Sequence, residues 1–203
     1  MHFFHPGEAD YQRRWGLFRQ EMLRPILRML AAFRVHPDVV TLLGVLSMTL
    51  LPAGFLYGKP DFVIAAYAGH IICDALDGPL ARHRKLTSAA GAYTDVIADH
   101  WSLVATTMTL LWFGIGDPFW LSVYTISYVL VIVHLVLLNV HESPMRVPVI
   151  RTRYPLCVLV ILLAYGWNVL PILDPFLRIA GVYYVLMLLI TILSFRWSLN
   201  SQD

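Results

Sequence analysis

Apolar residues run through this chain in six long blocks, approximately Val39 to Tyr57, Phe62 to Ala81, Ala92 to Phe113, Phe119 to Val140, Tyr154 to Leu170 and Phe176 to Phe195. A helix rising 1.5 Å per residue needs roughly 20 mostly apolar residues to cross about 30 Å of hydrocarbon, so the pattern predicts six transmembrane helices. Turn-forming breakers separate several of them: Gly58-Lys59-Pro60-Asp61, Gly114-Ile115-Gly116-Asp117-Pro118 and Pro171-Ile172-Leu173-Asp174-Pro175. Ahead of the first block the pattern changes. Tyr11, Trp15, Phe18, Met22, Ile26, Met29 or Leu30, and Phe33 recur at steps of three and four with arginines between them, which predicts an amphipathic helix lying in the membrane interface.

Composition agrees with a bilayer as solvent. Of 203 residues, 58% are hydrophobic and 14% charged, against about a quarter charged in soluble domains. A net charge of +2 offers a nucleic acid no basic face, and a chain this apolar is no disordered tail. Thirteen of the 15 lysines and arginines fall at the termini or between the second and third and the fourth and fifth blocks, leaving Lys59 and Arg178 opposite. The positive-inside rule then places both termini in the cytoplasm. The N-terminus lacks the apolar core and small-residue cleavage site of a signal peptide, so it is expected to be retained. Cys73 and Cys157 lie in apolar runs and read as small buried hydrophobes. The expected organisation is an all-α integral membrane protein: an interfacial segment over residues 1–37, a six-helix catalytic domain over 38–196 and a short cytoplasmic tail over 197–203.

Four carboxylates contradict the apolar background. An acid within a membrane helix costs about 2.5–3.5 kcal/mol even on lenient insertion scales, so each is a functional candidate. Asp74 and Asp77 are three apart near the inner end of the second block; Asp95 and Asp99 are four apart near the inner end of the third. Both spacings put a pair on one helix face. Counted from the connecting loop, Asp74 and Asp99 sit about 12 Å deep and Asp77 and Asp95 about 6–8 Å, which predicts that the pairs meet at matching depths. Four converging carboxylates repel unless cations neutralise them. Oxygen-only ligands suit Mg²⁺ or Mn²⁺. Gly78 and Gly91 permit close approach of a ligand or a helix, and Arg82 supplies a fixed positive fork suited to a diphosphate.

Asp74-Ala75-Leu76-Asp77-Gly78-Pro79-Leu80-Ala81-Arg82, followed by eight residues to Gly91, three to Asp95 and three to Asp99, matches D-x2-D-G-x2-A-R-x8-G-x3-D-x3-D throughout. This 26-residue run, within a six-span layout behind an interfacial helix, resembles the CDP-alcohol phosphotransferase family. The resemblance implies transfer of a phosphoalcohol group from a CDP-linked donor to a hydroxyl acceptor with release of CMP. It implies that Asp74, Asp77, Asp95 and Asp99 hold two divalent ions, that Asp99 takes the acceptor's proton, and that Asp74, Gly78, Ala81, Arg82, Ser88 and Gly91 line the donor. Pro37, Asp38 and Thr41 occupy the place of the family's nucleotide-contacting Pro-Asn-x-x-Thr segment, with Asp38 where Asn is commoner. A homodimer, a cell inner or plasma membrane location and a cytoplasm-facing site are implied in the same way.

The resemblance favours CDP-diacylglycerol as donor, while a CDP-aminoalcohol acting on diacylglycerol stays open. Arg146, Arg151 and Arg153 are candidates to hold an acceptor phosphate; Asn139, His141 and Glu142 are candidates to contact an uncharged or amino alcohol. The alternative reading of all three arginines is topology anchoring. His100 stands where family members that use phosphorylated acceptors carry Lys or Arg. An ion- or proton-coupled transporter would also use intramembrane acids, but here the acids cluster at one interface and do not step across the membrane. An intramembrane prenyltransferase would space its aspartates differently.

Overall fold

The computed structural model describes residues 21–140 and 149–200, which are helical with no strand. The helices are α1 (residues 21–32), α2 (Pro37–Ser47), α3 (Leu50–Leu56), α4 (Pro60–His83), α5 (Ala89–Trp112), α6 (Pro118–Val140), α7 (Arg153–Ala164) and α8 (Leu170–Asn200). They divide into two compact units, Met1–Ala105 and Thr106–Asp203, the division falling within α5.

In the first unit α2 and α3 pack on α4. Small and hydroxyl residues recur every third position along α2 and meet α4 in antiparallel register. Thr41 reaches Asp77, Gly44 lies against Cys73 and His70, and Ser47 lies against Gly69 and Ala66. A methyl group placed on Gly44 would stand 2.8 Å from the Cβ of Cys73, so only glycine admits this separation. The buried His70 ring pairs through Nδ1 with the Gly44 carbonyl at 3.3 Å, which makes it a bridge between helices. Pro52 lacks the N–H that would bond to Met48, and α2 gives way to α3 there through a tighter turn, Leu51 N–H to Met48 O at 3.1 Å.

α1 uses two faces. Leu27 is buried with Val40 and Leu80, and Leu23 and Leu30 pack beside it, whereas Met22, Ile26, Met29 and Phe33 of the predicted stripe are exposed. Tyr11, Trp15 and Phe18 lie outside the described residues. The turns that follow α1 and α4 place Arg34 and Lys85 at positive φ (55° and 56°), where an L side chain is uncommon. Arg84 joins the two turns, donating from Nη1 to the carbonyls of Arg34 (3.2 Å) and Val35.

In the second unit α6 packs on α8. Tyr124, Tyr128 and Tyr184 are buried between them, with ring centroids 4.9 Å (Tyr128–Tyr184) to 6.2 Å apart. Asp117 caps α6 by accepting from the Phe119 N–H at 3.0 Å, and its own N–H donates to Asp174 at 3.1 Å. Hydroxyls within the apolar helices return to their own turn, as Thr125 does to Leu121 O and Ser194 to Ile190 O, both at 2.7 Å.

Among the described residues, three helices are long and apolar enough to cross a membrane: Pro37–Leu56, Pro118–Leu138 and Leu170–Arg196. The other predicted spans differ for physical reasons. α4 and α5 have 24 residues each, a sufficient length, but their aspartates and the hydroxyls of α5 dilute the apolar run. α7 has 12 residues, about 18 Å. Pro155 fits only in a first helical turn, and Gly166 (φ 82°) stops the helix by a Schellman pair of bonds, Trp167 N–H to Leu162 O and Gly166 N–H to Leu163 O. α8 starts six residues before the predicted span: Pro171 falls in its first turn, where a missing N–H costs little, and Pro175 is carried inside the helix at the loss of one backbone bond.

The start of α7 is held partway along its neighbours. Thr152 Oγ1 donates to the Tyr184 hydroxyl (3.1 Å), which donates to Ile150 O (2.6 Å), so Tyr124 supplies the proton in its 2.7 Å bond to Thr152. Tyr183 accepts from the Ile150 N–H at 3.0 Å. Tyr124 stands about 9 Å from the start of α6, well inside a membrane-length helix. Arg151 and Arg153, candidates for an acceptor phosphate or for topology anchoring, flank Thr152 in the chain.

Candidate active site

The polar end of α4 is built from a few bonds. Asp77 is buried at 5% exposure; its Oδ2 accepts from the Thr41 hydroxyl at 2.7 Å and its Oδ1 from the Gly78 N–H at 2.6 Å. Bonds from a hydroxyl to a carboxylate are charge-assisted and among the stronger kinds. One and a half turns on, the Arg82 guanidinium arches back. A methyl group on Gly78 would meet nothing closer than Arg82 Nη1, at 3.6 Å. The carboxylate, the bare backbone and the guanidinium thus stand side by side along one stretch of α4.

Along α5, Ser88 accepts from the Gly91 N–H at 3.0 Å and caps the helix start. Asp95 is exposed, and Asp99 is half-buried with its Oδ1 shielded from solvent. The neighbouring His100 ring engages the Val96 carbonyl of its own helix. Asp74 is half-buried on α4.

Several predicted donor contacts have structural occupations. Pro37 is buried at the first position of α2, and Asp38 is exposed and pairs with His36, whose Nδ1 accepts from the Asp38 N–H at 3.4 Å. His36 is therefore the α2 cap, a role that the Pro-Asp that follows it signals and that the motif match passed over. Ala81 and Gly91 are half-buried; Arg82 is exposed. Arg151 is exposed in the second unit, while Arg146, His141, Glu142 and the Asn139 side chain lie outside the described residues.

The donor set suits a hard divalent cation. The aspartates offer oxygen only, and one of the Asp99 oxygens is kept dry. Among the described residues no three His, Cys, Asp or Glu side chains stand together as a ready-made metal group.

Helices of membrane length, together with aspartates, a bare glycine and an arginine on α4 and α5, define an integral membrane protein with a polar site built into its helices. The chain belongs to the CDP-alcohol phosphatidyltransferase family, whose pattern matches residues 34–196. That range takes in every motif aspartate and the α2 segment. Members of this family are transferases of substituted phosphate groups in phospholipid synthesis and generally use divalent metals. The chain is also similar to an uncharacterized protein of Aquifex aeolicus (strain VF5), 30% identical over 110 residues, which are 52% of this chain and 55% of that protein. It thus spans little over half the length of that relative.

Proposed function

We propose that this protein transfers a phosphatidyl group from CDP-diacylglycerol to the hydroxyl of a small polar alcohol and releases CMP. The observation that carries the reading is the end of α4, where a buried Asp77, an unencumbered Gly78 and the Arg82 guanidinium stand within six residues of one another. Asp74, Asp77, Asp95 and Asp99 would hold divalent cations, two Mg²⁺ or Mn²⁺, which when bound supply charge compensation for the diphosphate. Arg82 pairs with diphosphate oxygens, and Gly78 lets the diphosphate lie against the helix backbone. Asp99 accepts the proton of the acceptor hydroxyl. The acceptor oxygen bonds to the phosphatidyl phosphorus, the bond from that phosphorus to the bridging oxygen breaks, and its electron pair leaves with CMP.

In this reading all six apolar blocks lie within the bilayer, α1 rests at its surface on Met22, Ile26, Met29 and Phe33, and the termini and the Arg82 end of α4 face the cytoplasm. Arg151 and Arg146 are the acceptor-phosphate candidates. The protein works as a homodimer, which the mass of the detergent-solubilised particle checks.

The test is CMP release from CDP-diacylglycerol with Mg²⁺ or Mn²⁺ by purified protein in lipid. The acceptors are glycerol 3-phosphate, inositol phosphate, inositol, serine, ethanolamine and choline. Metal-dependent release with one acceptor names the product. Release only from a CDP-aminoalcohol with diacylglycerol overturns the choice of donor, and silence with both donors, without stabilisation of the fold by either, overturns the enzyme reading.

A further inference from the structure

We propose that Thr41 is a positioning residue whose hydroxyl fixes the direction of the Asp77 carboxylate. The sequence pattern assigns Thr41 to the nucleotide, yet its geometry commits it elsewhere. A threonine hydroxyl carries one proton. Two acceptors stand near it, Asp77 Oδ2 at 2.7 Å and the Pro37 carbonyl at 3.3 Å, and the shorter, charged one takes the proton. Thr41 is then left with lone pairs only and has no donor to offer a ligand.

The bond spans 36 residues and joins two helices. Asp77 is pinned at both oxygens, by Thr41 from α2 and by the Gly78 N–H from its own helix, so its carboxylate cannot swing. Both side chains are buried, Thr41 at 8% exposure, which shields the bond from competing water. The depth of Thr41 beside Asp77 is set one and two turns away, by the Gly44 contact with Cys73 and by the 3.3 Å pairing of His70 with the Gly44 carbonyl. The α2–α4 contact thus transmits the fold into the aim of one carboxylate. A hydroxyl donor that orients a cation-holding carboxylate typically changes affinity or activity 10–100-fold when lost.

The inference rests on the proposed role of Asp77 in holding a divalent ion, and the experiment separates the two. Binding of Mn²⁺ to the full-length protein is titrated by loss of the free-ion resonance, and kcat and KM for CDP-diacylglycerol are measured at saturating Mn²⁺. Thr41→Val keeps the shape and removes the donor; it is expected to weaken Mn²⁺ binding about 10–100-fold with the donor KM unchanged. Thr41→Ser keeps the donor and is expected to return binding to the native value. If Thr41→Val does not fold, Thr41→Ala against Thr41→Ser makes the same comparison. Native Mn²⁺ binding in Thr41→Val with a raised donor KM would overturn the proposal and return Thr41 to the nucleotide. Asp77→Asn identifies the source of a failure: if it abolishes Mn²⁺ binding while Thr41→Val does not, the positioning role alone is wrong. If Asp77→Asn leaves binding intact, the metal reading and the positioning role fall together.

Discussion

The two units solve the same problem, packing apolar helices, with different chemistry. In the first, backbones approach closely through Gly44 and Gly69, and directed polar bonds cross between helices, among them Thr41 to Asp77, His70 to Gly44 and Ser47 to Ala66. In the second, bulky rings fill the space between α6 and α8, and hydroxyls close on one another, on their own helix or on the Ile150 backbone. Close backbone packing holds a carboxylate in place in the first unit, whereas the ring-filled seam of the second directs its tyrosine hydroxyls to the 150–152 backbone and Thr152. The carboxylates of the proposed chemistry all sit in the first unit.

The comparison is sharpened most by Asp99→Asn, which should retain donor binding and lower turnover about 10²–10⁴-fold, the usual worth of a proton acceptor. Single-turnover CMP release against equilibrium donor binding checks it. Gly44→Ala should follow with a stability loss of about 1–3 kcal/mol, because the added methyl meets the Cβ of Cys73 at 2.8 Å and backbone must move. Tyr184→Phe should cost about 1–3 kcal/mol in the second unit by leaving the Ile150 carbonyl and Thr152 short of a partner. Denaturation midpoints rank these two. Gly78→Ala should keep the fold and raise stability by about 0.5–1 kcal/mol, since it sits inside α4 and only the flexible end of Arg82 is near. Activity lost in that variant without loss of fold would show that a ligand needs the space. The smallest effect is one of rate: in a background lacking Cys73 and Cys157, a cysteine at Arg151 should react more slowly with a charged maleimide than one at the exposed Thr87, because the 150–152 segment is anchored beside Tyr124.

Much of this was legible in the residues. The motif from Asp74 to Asp99 reads directly as chemistry, and Gly114-Ile115-Gly116-Asp117-Pro118 predicts the break before α6 that the positive φ of Gly114 and Gly116 and the Asp117 cap produce. The bond from Thr41 to Asp77 was not legible, because 36 residues separate its ends and only the register of α2 on α4 brings them together. The shortness of α7 had a signal in Gly166, which the continuing apolar run from Tyr154 to Leu170 masks. The turns at Arg34 and Lys85 had none, since left-handed backbone is read from glycine, and here tertiary bonds from Arg84 support a charged residue instead.

The most direct measurement is metal-dependent CMP release from CDP-diacylglycerol by three proteins at equal folded concentration: native, Asp99→Asn and Asp174→Asn. Each variant removes one carboxylate charge, the first from α5 in the first unit and the second from the second unit, where the amide oxygen can still accept from the Asp117 N–H. The account predicts that Asp174→Asn releases CMP at close to the native rate and that Asp99→Asn is nearly silent. Equal release by both variants would contradict it.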